Sequence, residues 1–414
     1  MTHQTCTGGT SAGGEVLLTG ATGFLGTELL ARYLEQDTRS VIALVRANDD
    51  RAAQRRLDAT LAGALGEAAA EYRPRVQAVA ADVGRPGLGL SPRKRNALAE
   101  RTEVVVHCAA AVSFDQPIGG AREVNVGGTS EMLAFAQCAM HRGGLARYVH
   151  ISTAFVGGTH PGAFSERDLY LGQGFRNTYE QSKCEAELLV RSAQHLPTTV
   201  LRPSIVVGDR NTGWTSAFNV IYWPLRAFAK GLLQSVPAVP SSPVDVVSVD
   251  YVADAVHALA VHPAAGGRTF NLTAGPAISS LGEIASIASS YFRQPAPRLI
   301  PPEQFDFEAV DPLRQRVFAE AAAFFPYFTT ETTFDSSESQ ALLGPLGVRP
   351  SPLPEYLDRL LDFATRSRWG KRQIFRHEGR PAGRPDATIV AERSQPARER
   401  ASRRSPTRLA RSLA

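Results

Sequence analysis

The stretch that most constrains this chain is residues 15–26, EVLLTGATGFLG. A short apolar run, Val16-Leu17-Leu18, ends in Thr19 and meets Gly20, Gly23 and Gly26, with Thr22 in the turn and Phe24-Leu25 opening a helix. Strand, glycine turn and helix in that order bring backbone N–H groups and a helix N-terminus to face a pyrophosphate. Gly20 permits the turn, Gly23 lets the backbone approach the phosphates, and Gly26 lets helix and strand pack closely. The spacing is GxxGxxG, one residue longer in its first gap than the usual dinucleotide fingerprint. Its weight therefore comes from its place at the first strand and from the motifs further along the chain.

The first 205 residues alternate two kinds of segment. Strand-like runs are expected at 16–19, 41–45, 76–80, 104–107, 148–152 and 198–202, with helical periodicity at 24–35, 50–69, 121–140 and 179–195. Short apolar runs alternating with helices argue for an α/β fold, a Rossmann-type doubly wound parallel sheet buried on both faces. After Pro203 the pattern turns irregular and rich in Pro, Trp and Tyr, and regular elements resume near Asp250. The expected organisation is a flexible N-terminus (1–14), a dinucleotide-binding domain (15–205), a smaller α/β substrate-binding subdomain (206–370) partly continuing the first sheet, and a tail (371–414). That tail holds twelve lysines and arginines against four carboxylates, while the whole 414-residue chain carries only +5. It is poor in large apolar residues, so it is expected to be disordered and solubilising. Such a tail admits a peripheral membrane contact, but no nucleic-acid-binding pattern accompanies it.

With 43% hydrophobic residues the chain can bury a large core. Its most apolar stretch, 218–240, is broken by Arg226, Lys230 and three prolines, which argues against a spanning helix. No signal-peptide pattern opens the chain. Cys6, Cys108, Cys138 and Cys184 show no paired or metal-ligand spacing and read as reduced thiols of a cytoplasmic protein. His160 and the other histidines outside His107 give no metal spacing either, and no metal is expected.

Strand two ends in Leu44-Val45-Arg46, where NAD-preferring folds place an acidic residue for the ribose hydroxyl. An arginine there suits the 2′-phosphate of NADP(H), and Arg56 supplies a second contact. Asp82-Val83 follows strand three, where a carboxylate can accept from the adenine amino group. Ala109 and Ala110 follow strand four as a flat edge for the nicotinamide half. All these positions fall at C-terminal strand ends, where open α/β sheets bind ligands.

Tyr179-Glu180-Gln181-Ser182-Lys183 sets a phenol and an amine one helical turn apart. A tyrosine is a poor acid near neutral pH unless a cation stabilises its phenolate. With that support it can donate a proton to a carbonyl oxygen as hydride arrives. A further donor is expected from the end of strand five, His150-Ile151-Ser152-Thr153, with Thr153 facing the site and Ser152 second.

TGATGFLG, the Ser-Thr of HISTAFVGG, YEQSK and LRPSIV, in this order, resemble the extended short-chain dehydrogenase/reductase superfamily across most of residues 15–275. Within it, LVRA followed by QRRL, NTYEQSKCEAE, RPSIVVG and TGW resemble the branch of male-sterility-type fatty acyl-CoA reductases and of the thioester reductase domains of carboxylic acid reductases and peptide synthetases. The resemblance implies Tyr179 as acid, Lys183 as its support, Thr153 as carbonyl donor and Asn125 in the proton relay. It implies NADPH bound by the glycine loop, Arg46, Arg56, Asp82 and Lys183, with Pro203 and Ser204 of LRPSIV among the contacts. The implied reaction is hydride transfer to an acyl thioester, donated by acyl-CoA or an acyl carrier protein, giving an aldehyde or alcohol. The Gly213-Trp214 pair lacks the fuller pattern of plant and animal acyl-CoA reductases, which leaves the carrier open. Trp214, Phe218 and Tyr222 are expected to line the acyl site, with ordinary core packing as the alternative. Other readings are a nucleotide-sugar epimerase or dehydratase, a steroid- or flavonoid-type dehydrogenase, and a non-catalytic NADP-binding regulator. Oligomeric state is not legible.

Overall fold

The computed structural model describes residues 14–379, apart from 309, 313–314, 316–317 and 320–323. Seven parallel strands form the main sheet. They are β1 (Glu15–Thr19), β2 (Val41–Val45), β3 (Val76–Ala80), β4 (Thr102–His107), β5 (Arg147–Ile151), β6 (Thr198–Pro203) and a strand later in the chain, Arg268–Leu272. The short strands between Pro203 and that last strand include a parallel pair, β7 (Ile205–Val207) and β8 (Val246–Ser248), and the seventh sheet strand is β9. The order across the sheet is β9-β6-β5-β4-β1-β2-β3. The direction of winding reverses between β1 and β4, and a crevice opens at such a switch point beyond the strand ends. In register, Thr19 at the end of β1 faces Leu44 on β2 and His107 on β4.

The helices of eight or more residues among the described residues are α1 (Phe24–Gln36), α2 (Asp50–Leu65), α3 (Pro92–Ala99), α4 (Gly128–Arg142), α5 (Thr178–Ser192), α6 (Tyr222–Ala229), α7 (Val249–Val261), α8 (Leu281–Phe292) and α9 (Leu357–Arg366). The strands are buried on both faces, as a sheet with helices on both sides requires. One apolar layer joins α1, α2 and α7 to the sheet through Leu29, Leu57 and Leu259, and the other joins α4 through Met132 and Phe135. The helix expected over 121–140 is interrupted by a π-helical turn at Glu123–Gly127, which carries Asn125. α7 and β9 return from beyond residue 205 to cover and extend the sheet. Among the described residues no helix is long and apolar enough to cross a membrane.

Residues 371–379, expected as the start of a disordered tail, are instead anchored by Arg376. Arg376 is buried, pairs with Glu28 on α1, donates to the Ala64 carbonyl at 3.2 Å and reaches Glu35 at 3.3 Å. Two carboxylates give that arginine a reason to leave water. Residues 380–414 lie outside the described residues.

A second buried pair fixes the helix that carries the Tyr-x-x-x-Lys motif. Arg202 on β6 and Glu187 on α5, both 0% exposed, meet at 2.7 Å. Arg202 also donates to the carbonyls of Ser165 and Asp168, and Glu187 accepts from the Ser152 hydroxyl at 2.7 Å and from Arg191. Burial alone would raise the Glu187 carboxyl, but the two arginines and Ser152 outweigh it and hold it below the usual range. Glu187→Ala leaves a buried guanidinium without its counter-charge and is expected to cost about 3–5 kcal/mol of stability in urea denaturation. Joint replacement by Glu187→Leu and Arg202→Met is expected to recover much of that loss.

Candidate active site

The glycine loop meets the steric demands of its sequence. Gly20 has φ +75, and a Cβ there would stand 2.9 Å from the Ala109 nitrogen. A Cβ on Gly26 would collide with the Gly20 carbonyl, so this helix cannot approach the turn with any larger residue. Gly23 caps α1 without a side-chain hydrogen bond, and no acidic residue occupies the first turn. The N–H groups and dipole of a 13-residue helix are therefore left for an outside anion, which fits a pyrophosphate. Thr19 is buried, and its hydroxyl accepts from the amides of Cys108 and Ala109, each at 3.0 Å, which ties the β4 loop to β1. Thr22 stays at the turn, Phe24 packs on Trp214 with ring centroids 5.8 Å apart, and Leu25 leans on the core.

Arg46 is exposed at the end of β2, and the Arg56 guanidinium donates to its backbone carbonyl. That bond brings both cations to one strand end. Asp82 accepts from the Gly84 amide at 3.1 Å in the turn after β3, and Val83 packs on Gly128. Ala109 and Ala110 are half-buried on the opposite side of the switch point.

Asn177 caps α5 by accepting from the Glu180 amide at 3.0 Å, and the helix it starts presents Tyr179 and Lys183. Tyr179 lies close to Thr153, and burial pushes its phenol up to about 12. Thr153 is buried, donates to the Pro203 carbonyl at 3.3 Å and accepts from the Phe155 amide. Lys183 is buried and donates to the Ile151 carbonyl at 2.7 Å. Burial lowers its ammonium to about 8, against the opposing influence of Cys108 and Glu187. Beneath it His107 and His150 lie side by side with ring centroids 5.5 Å apart, and burial and Lys183 push both below their ordinary value. Two neutral rings thus spare Lys183 a like charge.

Asn125, expected in the proton relay, spends its amide on the loop after β4 and on α5. It accepts from the Ala111 amide at 2.8 Å and donates to the Ala111 carbonyl at 3.0 Å and to Ser182 at 2.9 Å. In this way it holds the loop after β4 against α5, and the π-turn swings it there. Ser152 is corrected as well. Alternation turns it away from Thr153 into the Glu187–Arg202 pair, where its hydroxyl is spent. Ser204 is buried beside Pro203, and its hydroxyl has no hydrogen-bond partner among the described residues.

An apolar cavity lies behind Phe155 and Tyr327. In its lining Tyr327 meets Phe155 edge-on at 5.1 Å, and Tyr327 stacks at 5.7 Å on Phe114, which lies 6.0 Å from Tyr179. The side facing α6 consists of Ile221, Pro224, Leu225 and Phe228, one helical stripe at i, i+3, i+4 and i+7. Trp214, Phe218 and Tyr222, expected in this lining, sit elsewhere. Trp214 lies over Phe24 and donates its indole N–H to the Ile374 carbonyl at 3.2 Å. Phe218 stacks on Phe363, and the Tyr222 hydroxyl accepts from the Gly208 amide at 3.0 Å. The stripe begins at Ile221, and Tyr222, one residue on, turns to a different face. Tyr327 and Asp245 also line the cavity, and no motif in the sequence marks either.

A parallel sheet with a glycine turn at its switch point and a Tyr-x-x-x-Lys helix beside it defines a dinucleotide-binding α/β protein. Residues 18–256 match the model of the male sterility protein family of NAD-binding domains, and the chain belongs to that family. The nonribosomal peptide synthetase asaC of Aspergillus flavus is 35% identical over 273 residues, which are 63% of this chain and 26% of that protein. The L-2-aminoadipate reductase large subunit of Penicillium chrysogenum is 34% identical over 61% of this chain and 19% of its own length. Human fatty acyl-CoA reductase 1 is 29% identical over 58% of this chain and 53% of its own length. The chain thus spans about a fifth to a half of these relatives. Among solved structures, the terminal R domain of the myxalamid PKS-NRPS pathway superposes with a TM-score of 0.74 at 25% identity, over 87% of this chain and 92% of that one. UDP-glucuronic acid 4-epimerase of Bacillus cereus shares the fold at a TM-score of 0.60 and 19% identity, over 86% of this chain and 98% of that one. The family and the uncapped glycine loop agree on a nicotinamide dinucleotide as the ligand of the crevice.

The depressed Lys183 carries a stability signature. Folded and unfolded chains both hold its proton below about 8, so the burial penalty is full there and fades as pH climbs towards the ordinary lysine value of 10.5. Lys183→Met is therefore expected to raise stability near pH 7 relative to the parent. Urea titrations between about pH 7 and 10.5 should show that advantage shrinking as pH rises.

Proposed function

We propose that this chain is an NADPH-dependent reductase of acyl thioesters. The observation that carries the reading is the buried Lys183 ammonium one helical turn from Tyr179, whose ring lies 6.0 Å from Phe114, the residue stacked on Tyr327 of the apolar cavity's lining. Relatives named as a fatty acyl-CoA reductase and an aminoadipate reductase, and a solved R domain of a synthetase pathway, point to the same chemistry. When bound, the reduced nicotinamide supplies the hydride. Thr153 and Tyr179 donate to the substrate oxygen and stabilise the negative charge that develops on it. Tyr179 can pass its proton because the Lys183 ammonium, one turn away, supports the phenolate that results. Collapse of the tetrahedral species breaks the C–S bond, releases the thiol of CoA or of a carrier protein, and leaves an aldehyde. The cavity wall shields the acyl chain from water, and no lysine or arginine stands among its described lining residues. That lining has nothing to bind the diphosphate of a nucleotide sugar, which argues against the epimerase reading.

Cofactor choice follows from Arg46 and Arg56 at the end of β2. A guanidinium beside a 2′-phosphate forms charge-assisted hydrogen bonds that an unphosphorylated ribose lacks. Arg46→Ala is expected to weaken NADPH binding about tenfold or more while barely changing NADH, as measured by fluorescence titration. Equal binding of the two cofactors by the parent would overturn this assignment.

The activity test follows NADPH oxidation with a long-chain acyl-CoA, an acyl carrier protein thioester and a free aldehyde in parallel. Turnover of a thioester is expected. Turnover of the aldehyde alone would mark a carbonyl reductase instead. Tyr179→Phe is expected to lower kcat by roughly a hundredfold or more with cofactor affinity retained.

A further inference from the structure

The Gly213-Trp214 pair joins two distant parts of the chain. Gly213 has φ +74, and a Cβ there would collide with the Arg359 carbonyl of α9, so only glycine lets the loop lie this close. Trp214 is 5% exposed. Its ring lies on Phe24, the first residue of α1, and its indole N–H donates to the Ile374 carbonyl. Ile374 belongs to residues 370–379, a strap that follows α9 and attaches to α1 and α2. Arg376 reaches Glu28 and Glu35 of α1 and the Ala64 carbonyl of α2, so one guanidinium spans both helices. Phe375 stacks on His377 with ring centroids 5.9 Å apart, and both rings settle where glycines leave room. A Cβ on Gly63 would stand 2.8 Å from the Phe375 ring, and one on Gly66 2.8 Å from the His377 ring. The His377 imidazole also meets the Gly63 carbonyl at 3.1 Å.

The two helices joined in this way are the ones that carry the phosphate-binding features. α1 starts at the uncapped N-terminus that fits a pyrophosphate, and α2 carries Arg56, whose guanidinium is tied to the Arg46 carbonyl. Thr22 of the glycine turn, Trp214, Ile374 and Arg376 line one depression in the surface. Contacts therefore run without a gap from the strap to the turn: Ile374 to Trp214, Trp214 to Phe24, and Phe24 beside Gly23. A turn built on three glycines gives up much backbone freedom when it closes on a ligand. A neighbour that already holds it removes part of that cost.

We propose that residues 370–379 are a working part of the dinucleotide site: docked, they hold Trp214 against Phe24 and preorganise the turn for the pyrophosphate; released, they lower affinity for the cofactor. Strap and cofactor then favour one another to the same degree, because coupling between two sites is reciprocal. Arg376 and Trp214 are positioning residues that act through Phe24. The inference goes beyond the thioester-reductase reading and is independent of which carbonyl compound is reduced.

Binding of NADPH and of NADH is titrated through the fluorescence of the reduced nicotinamide, in the parent and in Arg376→Met, with circular dichroism confirming the fold. Both cofactors carry the pyrophosphate, so both Kd values are expected to rise by a similar factor, roughly five- to fiftyfold. Trp214→Phe keeps a ring over Phe24 but loses the donor to Ile374, and is expected to raise them less. The double variant Phe375→Ala, His377→Ala loosens the strap from α2 and carries the same prediction if Arg376→Met does not fold. Unchanged affinity in a folded strap variant overturns the inference. So does a loss confined to NADPH, which would place the effect at Arg46 and Arg56. A second measurement needs only the parent. Hydrogen exchange is followed at residues 370–379 and along α8, with and without saturating NADPH. Exchange in the strap is expected to slow by about the factor that the variants lose in affinity, while α8 barely changes. Equal slowing in both segments marks general stabilisation and overturns the inference, as does an unaltered strap.

Discussion

The contact on which the site depends most is a charge pair that touches no ligand. Arg202 and Glu187 meet in full burial between β6 and α5, and Ser152 at the end of β5 joins them. Two strand ends and the helix bearing Tyr179 and Lys183 are thereby fixed to one another. Van der Waals packing alone would allow that helix to slide by fractions of an ångström. A guanidinium that also serves the Ser165 and Asp168 carbonyls admits far less freedom. Positioning of that quality is what a donor pair aimed at one oxygen atom needs. Buried ions are a costly way to achieve it, since hydrophobic substitutes often match them in stability.

A second device works at the switch point. The Thr19 hydroxyl collects the amides of Cys108 and Ala109, and Asn125 holds both backbone groups of Ala111. The loop after β4, which has few large side chains, is thus held by two polar residues from either side. Together they keep the crevice edge flat and its backbone groups satisfied. The π-turn that delivers Asn125 is a local departure from regular helix at a functional position, where such departures concentrate.

Much of this is legible in the sequence because it is written in local patterns. The parallel sheet follows from runs such as VIALV that can only be buried on both faces, and the glycine loop from three residues whose absent Cβ atoms are sterically required. Helical spacing alone picks out Tyr179 and Lys183. The features that are not legible depend on long-range packing. Residues 152 and 153 both carry hydroxyls; the sequence puts Thr153 first and keeps Ser152 as a second donor, and only the partner on α5 reveals that the Ser152 hydroxyl is taken up by Glu187. The aromatic residues before α6 look like a tunnel lining in sequence. The residues that line the apolar cavity are instead the stripe one step out of phase, Ile221, Pro224, Leu225 and Phe228, and Trp214 covers Phe24. Tyr327 and Asp245 come from segments without periodicity, so nothing local could mark them. The basic composition of residues 371–379 suggests solvent, yet one arginine among them answers two carboxylates on α1.

That last attachment bears on how the molecule is made. Glu28 and Arg376 are separated by 348 residues. At ribosomal speeds of about 5–20 residues per second, roughly twenty to seventy seconds pass between the appearance of one and of the other. Throughout that interval the carboxylate on α1 has no guanidinium from Arg376 to meet, and it keeps its hydration or finds a temporary partner. The phosphate-facing helix is thus among the earliest elements synthesised and among the last to be sealed.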